Sequence, residues 1–132
     1  MPRQNYSTGT PWEERAGYSR AVRIGAFIFV SGTTAIDANG QIQHPGDLYG
    51  QAIYIYNKIE DVLQKLGADL TDVVRTRVYI TDMSQWEQAT RAHQEMFATV
   101  RPVNTLVEVS ALATSDMLIE IEIDAMVEEA IT

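Results

Sequence analysis

Apolar positions along the chain recur with two different periods, and the switches between them mark the elements. Residues 18–24 and 26–33 are rich in β-branched and aromatic side chains with Gly25 between them, which predicts two strands joined by a tight turn ending at Ser31-Gly32. Asn39-Gly40 and His44-Pro45-Gly46 break any regular element, so the stretch around them is expected as a surface excursion. From Asp47 the period lengthens. Leu48, Ala52, Ile55, Tyr56, Ile59, Val62, Leu63 and Leu66 fall at steps of three and four, along one stripe of a helix that Asp47 starts and Gly67 ends. Val74, Thr76, Val78 and Ile80 then alternate with Arg75, Arg77 and Tyr79, giving a third strand with a core face and a polar face. Ser84 and Glu87 have capping-box spacing ahead of a second helix, whose inner side carries Trp86, Ala89, His93, Met96 and Phe97 and which stops before Pro102. The last third reads as a hairpin, with strands over 104–112 and 117–127 joined by Ala113-Thr114-Ser115-Asp116.

This order predicts a single α+β domain over 1–132, one sheet with two helices packed on one face. Two helices cannot cover both faces. In the last strand Met117, Ile119, Ile121, Ile123 and Ala125 point one way, while Glu120, Glu122 and Asp124 share the other side with Leu118 and Met126. A sheet face that is half polar and half apolar is commonly completed by another copy in a closed assembly, so a homo-oligomer is expected.

Composition narrows the function classes. The 132 residues include 10 Lys or Arg and 18 Asp or Glu, a net charge of -8, and only Lys58 and Lys65 are lysines. Phosphate recognition rests on clustered cations releasing counterions, so no nucleic-acid partner is expected. With 45% hydrophobic and 21% charged residues the chain has the make-up of a folded domain. It has no cysteine, which excludes disulfides and thiolate chemistry and fits a reducing compartment. The longest apolar run, residues 24–30, is too short for a bilayer, and residues 1–10 lack the plan of a secretory signal; a cytoplasmic protein with no membrane partner is the expectation.

Neither a Gly-x-x-x-x-Gly-Lys loop nor a Gly-x-Gly-x-x-Gly turn is present, so no nucleotide cofactor is expected. His44 and His93 lack ligand spacing, and no metal is expected; His93, on the helical stripe, reads as a core or interface histidine. Ser31, His93 and Glu120 form a triad on paper only, because no nucleophile-elbow sequence surrounds Ser31. The alternating carboxylates remain. Glu120 and Glu122, with Glu108 on a neighbouring strand and Arg75 and Arg77 on a third, make either a cross-strand charge ladder or a site in which one carboxyl is desolvated near an apolar residue such as Leu106. Glu120 is the candidate for that carboxyl, able to hold or move the proton of a water.

Ala16-Gly17-Tyr18-Ser19, Phe29-Val30-Ser31-Gly32, Val107-Glu108-Val109 and Ile119-Glu120-Ile121-Glu122 resemble, in order and spacing, the signature blocks of the Rid/YjgF family of reactive-intermediate deaminases. The resemblance implies a chorismate-mutase-like fold, a homotrimer, and ligand clefts between subunits in which small enamines and imines, such as 2-aminoacrylate and its 2-iminopropanoate tautomer, are hydrolysed to a keto acid and ammonia without a cofactor. It places Tyr18 at a cleft-lining position, Ser31 and Gly32 at a ligand-contacting turn, and Glu120 where a glutamate positions the hydrolytic water. Backbone groups of 104–106, ending at Leu106, would meet the ligand nitrogen.

One position departs from the pattern. Where deaminating members read Pro-x-Arg-Ser and the arginine grips the substrate carboxylate, this chain reads Pro102-Val103-Asn104-Thr105. A neutral amide cannot replace a bidentate guanidinium. Arg101, three positions earlier, and Arg91, on the preceding helix beside the polar position that aligns with Thr90, are the cations able to replace it. Two functions follow as expectations: hydrolysis of a small carbonyl, imine or enamine compound, or a non-catalytic binding or regulatory trimer that lost turnover with the arginine. The ribonuclease activity that gave part of the family an older name fits the acidic charge least.

Overall fold

A computed structural model describes residues 2–128. The elements run β1 (Arg3–Tyr6), α1 (Pro11–Ala16), β2 (Ala21–Ile24), β3 (Phe27–Thr33), α2 (Leu48–Lys65), β4 (Val73–Ile80), α3 (Trp86–Phe97), β5 (Val103–Glu108) and β6 (Ile119–Met126). The strands form one mixed sheet in the order β1-β2-β3-β6-β4-β5, with β5 parallel to β4 and the other pairs antiparallel. The fold is α+β, with α2 and α3 packed on one face. Every residue of the α2 stripe is buried, and Asp47 caps its start by accepting from Gly50 N at 3.0 Å. Gly67 follows the end of α2 at φ +85°, a left-handed conformation that suits glycine.

The structure corrects the sequence reading at six places. The expected hairpin of the last third is absent: β5 and β6 lie on opposite sides of β4, and β6 is inserted between β3 and β4. Ile119, Ile121 and Ile123 are at most 1% exposed. The helices packed over that face bury them, and residues 109–118 are long enough to step across β4 and carry β6 to the place between β3 and β4. Ser84 and Glu87 form no capping box; Asp82 accepts from Ser84 N and caps a 3₁₀ turn, Met83–Gln85, and α3 begins behind it. Trp86 is exposed, and Ala92 takes a buried place on the inner side of α3. An irregularity between Val73 and Arg75 turns Val73 inward and leaves Val74 exposed. Glu108 lies in register with Ile80, on the helix side of the sheet, and accepts from Met83 N at 2.7 Å, so it has no part in the carboxylate ladder. The polar N-terminal segment, left without structure by its periodicity, supplies β1 and α1.

Candidate functional site

The face of the sheet away from α2 and α3 carries the alternating charges. Register places Glu122 opposite Arg77 and Glu120 opposite Tyr79. Arg77 Nη1 lies 3.8 Å from Glu122 and 3.5 Å from Asp124, Arg75 Nε is 3.8 Å from Asp124, and the Tyr79 hydroxyl donates to Glu122. Glu122 and Asp124 are thus spent on a ladder. Among the described residues Glu120 forms no ion pair of this kind. It lies against Gly32, where an added Cβ would come within 2.5 Å of Glu120 Oε2. The register of β3 against β6 slips between Val30 and Thr33, and this bulge, with its small Ser31-Gly32 pair, makes the space for the Glu120 side chain. Burial raises the Glu120 pKa above its ordinary value, opposed by the nearby Arg20 charge and assisted by Glu122.

Arg20 was not legible as a site residue. Its side chain is only 12% exposed, and it donates to Gly32 O at 2.7 Å and Thr33 Oγ1 at 3.0 Å, both at the bulge. Its guanidinium also lies over Tyr18, 5.7 Å from the ring centre, and reaches the Tyr18 hydroxyl at 3.4 Å. Behind it, at 3.9 Å, is Glu13, a buried carboxylate. Tyr18, Gly32 and Glu120 are therefore gathered around one guanidinium, with Ser31 next to Gly32 in the bulge. The Ser31 hydroxyl itself is occupied, donating to Ser19 O at 2.7 Å.

Thr90, Arg101, Asn104 and Leu106 belong to a second surface, where α3 meets β5. A groove of about 360 Å³ is lined there by Thr90, His93, Arg101, Pro102 and Asn104, and a smaller recess beside it reaches Leu106 and Val78. Asn104 is in register with Thr76, which is fully buried on the helix side. The two groups of candidate residues consequently face opposite sides of one sheet. Arg91 belongs to neither: its guanidinium lies 3.9 Å from the Tyr49 ring centre, between α2 and α3. Arg101 holds a left-handed backbone, φ 54°, and its Nε donates to Ala98 O at 3.0 Å, which folds the side chain over the end of α3 at the groove. Among the described residues no three His, Asp or Glu side chains converge as metal ligands.

Comparison with known proteins bears on these residues together. The family model described as Endoribonuclease L-PSP matches residues 10–127. The protein SCO2049 of Streptomyces coelicolor is 35% identical over 118 residues, covering 89% of this chain and 87% of its own length. The 3-aminoacrylate deaminase RutC of Acinetobacter baylyi is 30% identical over 113 residues, covering 86% of this chain and 88% of RutC. Rv2704 of Mycobacterium tuberculosis, a solved member of the YjgF/YER057c/UK114 family, superposes with a TM-score of 0.87 at 42% identity, over 96% of this chain and 100% of its own. With a family match spanning both groups of residues and relatives covering most of their own length, the chain belongs to the Rid/YjgF family, whose model carries the name Endoribonuclease L-PSP.

Proposed function

We propose that the protein hydrolyses a small enamine or its imine tautomer in clefts shared by neighbouring copies of a homotrimer, each cleft pairing the Glu120 cluster of one copy with the Asn104 groove of the next. The observation that carries this reading is Glu120, a desolvated carboxyl with a raised pKa, free of the ladder and set beside Arg20. The reaction balances with water alone. A proton moves to the enamine carbon to give the imine, the oxygen of water adds to the imine carbon, and the C–N bond breaks to release ammonia and leave a carbonyl. Glu120 takes a proton from the attacking water and returns one to the leaving nitrogen, the role of a general acid and base tuned toward neutral pH. Arg101 supplies the cation at the mouth of the groove, and the outer edge of β5, which pairs with β4 on one side only, offers backbone groups to the ligand nitrogen. A ribonuclease role has less support, since Glu120, Glu122 and Asp124 stand on the sheet face that phosphates would have to approach.

The test is ammonia release from enzymatically generated 3-aminoacrylate, the compound named for the RutC relative, and from 2-aminoacrylate. Acceleration above the spontaneous rate that disappears in Glu120→Gln is the expected result. No acceleration with either compound, or with their neutral carboxamide counterparts, overturns the hydrolytic reading in favour of a binding trimer, the alternative favoured by the exchange of the family arginine for Asn104.

A further inference from the structure

Behind Asn104 a hydrogen-bonded chain runs into the core. The Thr76 hydroxyl oxygen, in a fully buried residue, stands 2.8 Å from His93 Nε2 and 2.8 Å from Asn104 Oδ1. A hydroxyl has one proton to give. Thr76 donates it to Asn104 Oδ1, so its contact with His93 is one in which it accepts, and His93 Nε2 must carry the imidazole hydrogen. Burial lowers the His93 pKa and keeps the ring neutral, packed with its centre 6.2 Å from that of Tyr56 and 4.8 Å from that of Phe97. The chain therefore has one direction, from His93 through Thr76 to Asn104. With the amide oxygen turned inward, the two Nδ2 hydrogens are the part of Asn104 left for the groove, and among the described residues they meet no acceptor.

We propose that this relay fixes Asn104 as a hydrogen-bond donor to a neutral oxygen, so that the groove prefers a ligand carrying a ketone or carboxamide carbonyl over one carrying a carboxylate. The inner wall is built from neutral groups: the Thr90 hydroxyl, the His93 ring, the Asn104 amide, and the apolar Leu106, Val78 and Ala89. A carboxylate placed there gives up hydration that these groups do not return. Arg101 is the cation at the groove, but it is exposed and its Nε is committed to Ala98 O, so its attraction is shared with solvent. His93 and Thr76 are positioning residues in this scheme, since both act through Asn104. The inference rests on the proposed cleft only for the place of the ligand, not for turnover.

The test compares crotonamide with crotonate, probes that differ only in the amide or carboxylate, by NMR titration of the full-length protein. Crotonamide is expected to shift the Asn104 side-chain amide signals and to bind more tightly than crotonate by about tenfold or more. Long-range proton-nitrogen spectra, with His44→Asn for assignment, are expected to show His93 as the Nε2–H tautomer. Thr76→Val should erase both the preference and the tautomer, and Thr76→Ser should restore them. If Thr76→Val fails to fold, Asn104→Asp, which has no donor to offer, must lose crotonamide binding. An Nδ1–H tautomer, crotonate binding as tightly as crotonamide, no binding of either probe at millimolar concentration, or crotonamide binding kept in Asn104→Asp overturns the proposal. These readouts are independent of hydrolysis, so an inactive protein that prefers crotonamide defeats the enamine reading and leaves this one standing.

Discussion

Glu120 combines a cost to the fold with a use in the proposed cleft. Its carboxyl pKa is raised above the ordinary 4.5, chiefly by burial, so the folded state favours the protonated form. The stability it contributes is present below 4.5 and is lost as pH rises through the raised value. Glu120→Gln, neutral at every pH, is therefore expected not to lower the Tm at pH 7, while hydrolysis falls by about 10²- to 10⁴-fold. Thermal melts and ammonia release on the same preparation check both halves. Gly32 is coupled to Glu120 by contact, because a methyl at that position would meet Oε2 at 2.5 Å. Gly32→Ala is expected to cost about 1–3 kcal/mol, the usual range for overfilling a packed site. Removing the obstructing side chain in a Gly32→Ala, Glu120→Ala double variant should recover most of that loss in denaturant melts. A loss that persists in the double variant would place the strain in the bulge backbone instead.

At the level of elements, the chain holds its N-terminal segment by polar contacts rather than by a hydrophobic stripe. Glu13, 4% exposed, accepts from Ser7 Oγ, from Thr8 Oγ1 and N, and from Thr10 Oγ1, at 2.6–3.2 Å. Burial alone would raise the Glu13 pKa, but the bonds from Thr8, Ser7 and Thr10 together outweigh it and the net shift is downward. A carboxyl shifted down contributes stability above its ordinary 4.5 that is lost as pH falls through the folded value. Glu13→Ala should cost about 1.5–3 kcal/mol at pH 7, the scale of hydrogen bonds to a charged group, and the difference from wild type should shrink in acid, as denaturant melts at several pH values would show. The same chemistry explains why α1 was missed in the sequence: its holding contacts leave no period to detect. The α2 stripe was legible because its apolar positions repeat every three to four residues, and the two faces of β6 were legible because they alternate. Strand neighbours were not, since alternation says which face a residue occupies and nothing about which strand lies beside it. Proximity in the chain argued for a hairpin, but the connection over residues 109–118 carries β6 past β4 to pair with β3 and β4. Glu120 was legible from spacing and resemblance, whereas Arg20 takes its place only once the bulge exposes Gly32 O to it.

At the scale of the whole molecule, one sheet face is left without cover among the described residues. Phe27 and Phe29 stack on it with ring centres 6.5 Å apart and are 51% and 48% exposed, and Val103 and Val107 are exposed to 58% and 38% on the same face at the β5 edge. Between these apolar margins runs the ladder of Arg75, Arg77, Glu122 and Asp124. In the proposed trimer this face meets the edge region of a second copy, and because the Glu120 cluster and the Asn104 groove lie on opposite sides of the sheet, the contacts that join them are head-to-tail and form a ring when the rotation between copies closes. The consequence is open to a complementation experiment. Glu120→Gln removes the acid and leaves the groove; Asn104→Trp fills the groove and leaves the acid. Each variant alone should be inactive. After mixing, unfolding and refolding in equal amounts, an interface is intact when its acid comes from the Asn104→Trp copy and its groove from the Glu120→Gln copy. With random assortment that occurs at about one interface in four, whatever the size of the ring. Recovery of about a quarter of wild-type ammonia release, together with a trimer mass by sedimentation equilibrium, is the expected outcome. Phe29→Arg, which puts a charge in the apolar margin, should lower the mass toward one chain and prevent the recovery. If the refolded mixture stays inactive while wild-type protein recovers after the same treatment, the acid and the groove do not serve one cleft, and an assembly that unites them is ruled out as the basis of activity.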